Sequence, residues 1–150
     1  MLMGDTTAEQ LAAFNRIYRE MDEIYHLYAK AHDISDTVLW LLYSLYERPA
    51  AYTQRELCDT LHYPPQTVNS ALKTLEKRGA IELQAIPRNR KNKIVALTKQ
   101  GQSLVQKIIA PLFAAEQCTF RGLSGEESER LLSLSQKYVA LLRGEVQTIS

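Results

Sequence analysis

No run of 18 apolar residues occurs in this chain, so the sequence offers no helix able to cross a bilayer. The opening MLMGDTTAEQ has neither the basic stretch nor the apolar segment of a secretory signal, which sets the expectation of a cytoplasmic protein. Six glycines and five prolines are too few for long linkers or low-complexity tracts. The two cysteines, Cys58 and Cys118, sit in unlike contexts and form no CxxC pair, which fits a reducing cytoplasm better than a disulfide framework. Three histidines, His26, His32 and His62, have no HxxxH or HExxH spacing, and no carboxylates join them at metal-ligand intervals. There is no Ser/His/Asp arrangement, no glycine-rich phosphate loop and no paired-carboxylate site. The expectation is a protein that is not an enzyme and carries no metal or cofactor.

What is present is an ordinary globular composition, 45% apolar and 23% charged, in 150 residues, enough for one domain with a real core or a domain plus an oligomerisation element. The net charge of +1 argues for nothing, but its distribution does. Residues 62–99 hold eight cations and two anions, a net of +6, against ten and fifteen elsewhere, a net of −5. A basic quarter on an acidic body points to nucleic acid or another anionic surface.

Apolar spacing places the elements. Leu11, Phe14, Tyr18, Met21, Tyr25 and Tyr28 recur at steps of three and four, a helical stripe over 7–31 that Ile17 and Ile24 widen. A second helix, 36–47, is apolar nearly all round and is expected at the centre of the core. Arg48-Pro49-Ala50-Ala51-Tyr52 closes it. Thr53-Gln54-Arg55-Glu56 is a capping box opening a short helix, 54–61, with Leu57, Cys58 and Leu61 on its inner face. Pro64-Pro65 then starts a helix over 65–78 that buries Val68, Ala71, Leu72 and Leu75 and stops at Gly79. Beyond Gly79 the period falls to two. Ile81, Leu83 and Ala85 form one strand and residues 94–97 another, with Pro87 to Lys93 as a basic loop between them. Thr98 caps a helix over 99–119 that Pro111 should kink unless packing tolerates the break. Ser124-Gly125-Glu126-Glu127 caps a last helix, 125–147.

Helix, turn, helix and basic hairpin together read as a winged helix-turn-helix, whose second helix presents its N-terminal side chains to the major groove of duplex DNA. Pro65, Gln66, Thr67, Asn69, Ser70 and Lys73 interleave with the buried positions and are the candidate recognition residues; amides suit adenine edges, and the lysine and hydroxyls suit phosphates or bases. Arg88, Asn89, Arg90, Lys91 and Lys93 are the candidate wing contacts to backbone or minor groove.

At these residues the chain resembles the MarR family, the multiple antibiotic resistance regulators, over essentially its whole length. Leu75-Glu76-Lys77-Arg78-Gly79 and Leu97-Thr98-Lys99-Gln100-Gly101 carry the resemblance most specifically. It implies a mainly α (α+β) fold: a winged helix-turn-helix lobe at 36–98 with a two-strand wing, and dimerisation helices at 1–35 and 99–150. It also implies a homodimeric transcription regulator, often a repressor, binding a pseudo-palindromic operator and relieved by a small ligand. The family's wing usually reads Asp-Arg-Arg where this chain has Asn89-Arg90-Lys91, so the carboxylate that orients the wing is missing. Where Ser70 stands the family often has arginine. Tyr25, Tyr28, Trp40 and Tyr43 are core or dimer packing on the plainest reading, and on the sharper one they line a pocket for an aromatic or phenolic effector. Two alternatives stand beside the DNA-binding regulator: a winged-helix protein-interaction module without DNA binding, and a thiol-based redox-sensing regulator. The first has no use for an exposed polar helix face joined to an unbalanced basic wing. The second would want a thiol beside cations or a helix N-terminus, whereas Cys58 reads as core and Cys118 has only Glu116 and Arg121 near it in sequence.

Overall fold

The computed structural model describes residues 6–48 and 52–150. Pro49, Ala50 and Ala51, part of the segment expected to close the second helix, lie outside them. The elements run α1 (Thr6–Ala31), α2 (Asp36–Glu47), β1 (Tyr52–Thr53), α3 (Gln54–Leu61), α4 (Pro65–Lys77), β2 (Ile81–Ile86), β3 (Asn89–Leu97), α5 (Lys99–Arg121) and α6 (Gly125–Ile149). The chain divides into two compact units, residues 1–110 and 111–150.

In the first unit α2 is central. Leu39, Leu41, Leu42 and Leu45 are fully buried, and Leu57 of α3, Val68, Leu72 and Leu75 of α4, Val95 of β3 and Ile108 and Ile109 of α5 join them. Burying each such side chain contributes about 1.5–3 kcal/mol against exposure, before ordering costs. Ser44, the buried polar residue of this helix, is satisfied because its hydroxyl donates to the Trp40 carbonyl at 3.0 Å. The Thr53 capping box forms in full. The Thr53 hydroxyl accepts from Glu56 N–H at 3.1 Å, and the Glu56 carboxylate accepts from Thr53 N–H at 2.9 Å. α3 then ends on His62 in the left-handed region, φ 55°.

The wing departs from the two-strand reading. β1 adds a third strand, giving the antiparallel order β1-β3-β2, with Tyr52 opposite Val95 and Thr53 opposite Ile94. Two residues are too short to show an alternating pattern, so periodicity could not reveal β1. The basic segment is also not a loop. β2 and β3 keep one register from Ile81↔Leu97 to Ala85↔Lys93, then jump to Ile86↔Asn89. Arg90, Lys91 and Asn92 are therefore extra residues bulging from β3, and the connection itself is only Pro87-Arg88. Proline first and a positive φ second (67° at Arg88) is type II turn geometry. Ala85, expected to alternate inward, is exposed because the hairpin has left the core by that point.

A clasp holds the wing's base to α5. Gly79 has φ 73°, and its N–H and that of Ala80 donate back to Glu76 and Leu75 carbonyls, both at 2.9 Å. The Thr98 hydroxyl donates to the Gly79 carbonyl, Thr98 N–H donates to the Ala80 carbonyl at 3.0 Å, and Gly101 N–H donates to the Thr98 hydroxyl at 3.1 Å. A Cβ on Gly101 would lie 1.9 Å from the Ala80 carbonyl oxygen, so this approach requires glycine.

α5 runs through Pro111, which is exposed; the proline forgoes one helical hydrogen bond without ending the helix. In the second unit α6 starts on a complete capping box. The Ser124 hydroxyl accepts from Glu127 N–H at 3.1 Å, and the Glu127 carboxylate accepts from Ser124 N–H at 2.8 Å, which holds the Glu127 carboxyl below its ordinary pKa. α6 has no buried residue.

Candidate nucleic-acid interface

α4 is built to show a polar face. At 100° per residue, Val68, Ala71, Leu72 and Leu75 occupy one arc, each 6% exposed or less. Gln66, Ser70 and Lys73 fall opposite that arc, with Asn69 on one flank and Thr67 on the other; all are exposed. Pro65 stands at the first helical position, where its missing N–H costs nothing, so no side-chain cap is needed.

The flanks face different neighbours. Pro65, Asn69 and Lys73 share a cleft of about 790 Å³ with Asn89, Lys91 and Lys93 of the wing, and with Gln54, Arg55 and Asn92. Arg55, Lys73, Lys91 and Lys93 there outnumber Asp59 and Glu76, so the cleft favours a polyanion. Thr67 and Ser70 line a second cleft beside the start of α2, with Ser35, Thr37, Thr74 and Arg78. The Ser70 hydroxyl donates to the Gln66 carbonyl at 2.9 Å and the Thr74 hydroxyl to the Ser70 carbonyl at 3.1 Å, so each has its proton engaged by its own helix. Arg88 and Arg90 are exposed at the wing's end and outside the cleft lining.

The wing is oriented without a carboxylate. Asn89 Oδ1 accepts from Asn92 N–H at 3.3 Å, closing the bulge, and Asn92 Oδ1 accepts from Arg55 N–H at 3.4 Å in the first turn of α3. That N–H has no partner inside its helix, so the wing amide satisfies it and ties the two elements together. Arg55 and Asn92 are missing from the residues that the sequence singles out. The Thr53 capping box was the available signal for Arg55, because it marks the helix turn whose N–H groups are open.

Cys58 is not core. It is half-buried and lines the cleft, since an eight-residue helix with only Leu57 fully inward has room for little else. Burial first, and then the Asp59 carboxylate, push its thiol pKa up, which disfavours the reactive thiolate. Cys118 is exposed, and Arg121 Nη1 lies 3.7 Å from its sulfur.

Of the four aromatic residues, Tyr25 and Trp40 share a cavity wall that does not include Tyr28 or Tyr43. Tyr25 and Trp40 meet at 4.8 Å between ring centroids, and Trp40 and Tyr43 at 5.6 Å. Tyr25 and Trp40 line a cavity of about 390 Å³ with Asp22, Glu23, His26, Asp36 and Tyr63. Tyr43 is not part of its wall. Tyr28 turns away from it: its hydroxyl donates to the Ile108 carbonyl of α5 at 2.6 Å and its ring meets His32 at 4.6 Å. Among the described residues no group of His, Cys, Asp or Glu is placed to hold a metal ion, and no helix is long and apolar enough to cross a membrane.

The fold and this cleft define a winged helix-turn-helix protein. Residues 32–91 match the MarR family. The chain is also similar to the S. aureus MepR–DNA complex, at 25% identity and TM-score 0.72 over 87% of this chain and 96% of that one. A MarR-family regulator from Neisseria meningitidis shares the fold at 19% identity and TM-score 0.78, over 94% and 99%. So does a putative MarR-family regulator from Listeria monocytogenes complexed with a 26mer DNA, at 24% identity and TM-score 0.69, over 90% and 89%. Residues 32–91 thus resemble the MarR family, and the chain shares the winged-helix fold of these solved MarR-family regulators.

Proposed function

We propose that the chain is a homodimeric, sequence-specific DNA-binding transcriptional repressor whose grip is relieved by a small ligand. The observation that carries DNA binding is the cleft in which Asn69 and Lys73 of α4 meet Arg55, Lys91 and Lys93. Asn69, with Gln66 on the outward face, reads base edges, while the wing cations hold the adjacent backbone and Arg90 reaches phosphate or minor groove. Ser70 and Thr67 serve the backbone rather than the bases, since they face the start of α2 and the Ser70 proton is engaged.

Dimerisation follows from uncovered apolar surface. On α1, Leu11, Phe14, Ile17, Tyr18, Met21 and Ile24 are 43–64% exposed, and on α6 Leu131, Leu134, Leu141 and Leu142 are 48–60% exposed. A second copy covering the terminal helices, residues 1–35 and 99–150, removes this surface from water and leaves the lobe at 36–98 for DNA. A two-fold dimer presents its two α4 helices to half-sites about 10 bp apart in a pseudo-palindromic operator, in the cytoplasm where the DNA lies. The effector enters at the cavity walled by Tyr25 and Trp40.

The test is a titration of duplex DNA at several salt concentrations. Arg88, Arg90, Lys91 and Lys93, doubled in the dimer, neutralise on the order of six phosphates, so affinity should fall steeply with salt. A slope near zero, or no duplex bound at low salt, refutes DNA binding. Footprinting on the DNA upstream of the protein's own gene then gives the operator.

A further inference from the structure

The cavity beside α1 has a chemistry that the aromatic-effector reading does not use. It is lined by the aromatic residues Tyr25, Trp40 and Tyr63, by the acidic residues Asp22, Glu23 and Asp36, and by His26. We propose that it binds an organic cation: a ligand with a quaternary or delocalised positive charge on a small apolar body.

Three features converge on that class. Aromatic faces are electron-rich and attract a cation directly, indole most of all, and Trp40 packs at 54° to Tyr25, so the two rings are tilted rather than stacked flat. The carboxylates act on the same wall. Burial first, and then Asp36 and Asp22, push the Tyr63 phenol above its ordinary pKa, so negative potential reaches the ring that closes the cavity. The volume of about 390 Å³ is at the lower end for small-ligand sites.

The charge balance excludes the opposite class. A phenolate or carboxylate ligand would face three carboxylates with only His26 to meet it. His26 Nδ1 already lies 3.0 and 3.2 Å from the Asp36 carboxylate oxygens. Asp36 stands in the first turn of α2, whose dipole offsets part of its charge, whereas Asp22 and Glu23 lie within α1 and have no such offset.

The site also has a route to the DNA face. Tyr63 immediately precedes Pro64-Pro65, where α4 begins. A ligand held between Tyr63 and the α1–α2 wall biases where that start sits. This last step, and only this one, rests on the effector reading.

Trp40 is the chain's only tryptophan, so its fluorescence reports the cavity directly. The full-length protein is titrated with benzyltrimethylammonium, with neutral benzyl alcohol and with anionic salicylate. The cation should give a saturable change, with the other two about tenfold weaker or absent. The double variant Asp22→Asn, Glu23→Gln should weaken the cation about threefold or more, read by fluorescence and by calorimetry, with an unchanged thermal transition. Equal responses to all three compounds, no saturation by the cation, or an unchanged affinity in the double variant overturns the site. A labelled duplex that the protein binds is followed in parallel by anisotropy. Cation binding that leaves DNA affinity unchanged keeps the site and removes the effector link. DNA release by salicylate without cation binding keeps an effector and removes this site.

Discussion

α4 and α1 carry apolar stripes with the same helical period, yet they meet opposite fates. Val68, Ala71, Leu72 and Leu75 are 0–6% exposed, whereas Leu11, Phe14, Ile17, Met21 and Ile24 are 43–64% exposed. On α1 only Ala29 is buried, near the end where α1 packs on α2. A stripe states that a helix needs a partner, not which one it has. α4 finds its partner within the lobe, so its orientation is set and its polar face is aimed. α1 leaves its stripe exposed, so the same period fixes the orientation of one helix and not of the other.

Substitution can break the contrast most sharply at the stripes themselves. Leu75→Ala, at a fully buried site, should cost about 2–5 kcal/mol in urea unfolding. Ile24→Ala, at 64% exposure, should change lobe stability by no more than about 0.5 kcal/mol. Equal losses would mean that α1 is held as α4 is.

Charge at the α1 stripe tests what covers it. Ile17→Asp with Ile24→Asp should leave the helical signal in circular dichroism near the wild-type level and shift sedimentation at micromolar concentration toward the monomer. A dimer that survives both aspartates would place its interface elsewhere.

Asn69 and Arg90 separate reading from gripping. Asn69→Ala should cost about 1–3 kcal/mol on the operator and relax one base position, mostly adenine. Arg90→Ala should weaken binding to every duplex and lower the salt slope by about one if it meets phosphate. If it enters a narrow minor groove instead, the loss is greatest at A·T-rich flanks. Should Asn69→Ala weaken operator and scrambled duplex alike, the cleft grips and does not read.

The smallest effect belongs to the wing tether. Asn92→Ala removes a neutral acceptor from Arg55 N–H and should cost about 0.5–1.5 kcal/mol in DNA affinity, with the salt slope unchanged because no cation is lost. A changed slope would mean that Asn92 positions a phosphate contact rather than the hairpin.

Local rules were enough for much of this protein. The capping boxes at Thr53 and Ser124, the double proline before α4, the glycine after it and the spacing of Val68, Ala71, Leu72 and Leu75 each act within a few residues. Helix positions and the exposed polar face of α4 could therefore be read directly, with helix ends off by no more than two residues. The basic wing was legible as charge and period, because a stretch with no acidic residues needs no partner to be recognised.

Contacts distant in sequence are another matter. β1 exists only because Tyr52 and Thr53 pair with Val95 and Ile94, about forty positions on, and two residues carry no period of their own. The bulge at Arg90 to Asn92 follows from a register that two strands set jointly, so it turned an expected loop into strand. Asn89 shows the same limit. In sequence it is a lost carboxylate, but in the fold its amide oxygen meets Asn92 N–H, and Asn92 in turn meets Arg55 of α3. The tyrosines divided for the same reason: Tyr28 found the Ile108 carbonyl eighty residues away, while Tyr63, which no spacing marks, closed a cavity with Trp40. Short-range sterics and hydrogen bonding determine which segments are helices and which faces are apolar. Which polar groups end up facing one another depends on how those segments pack.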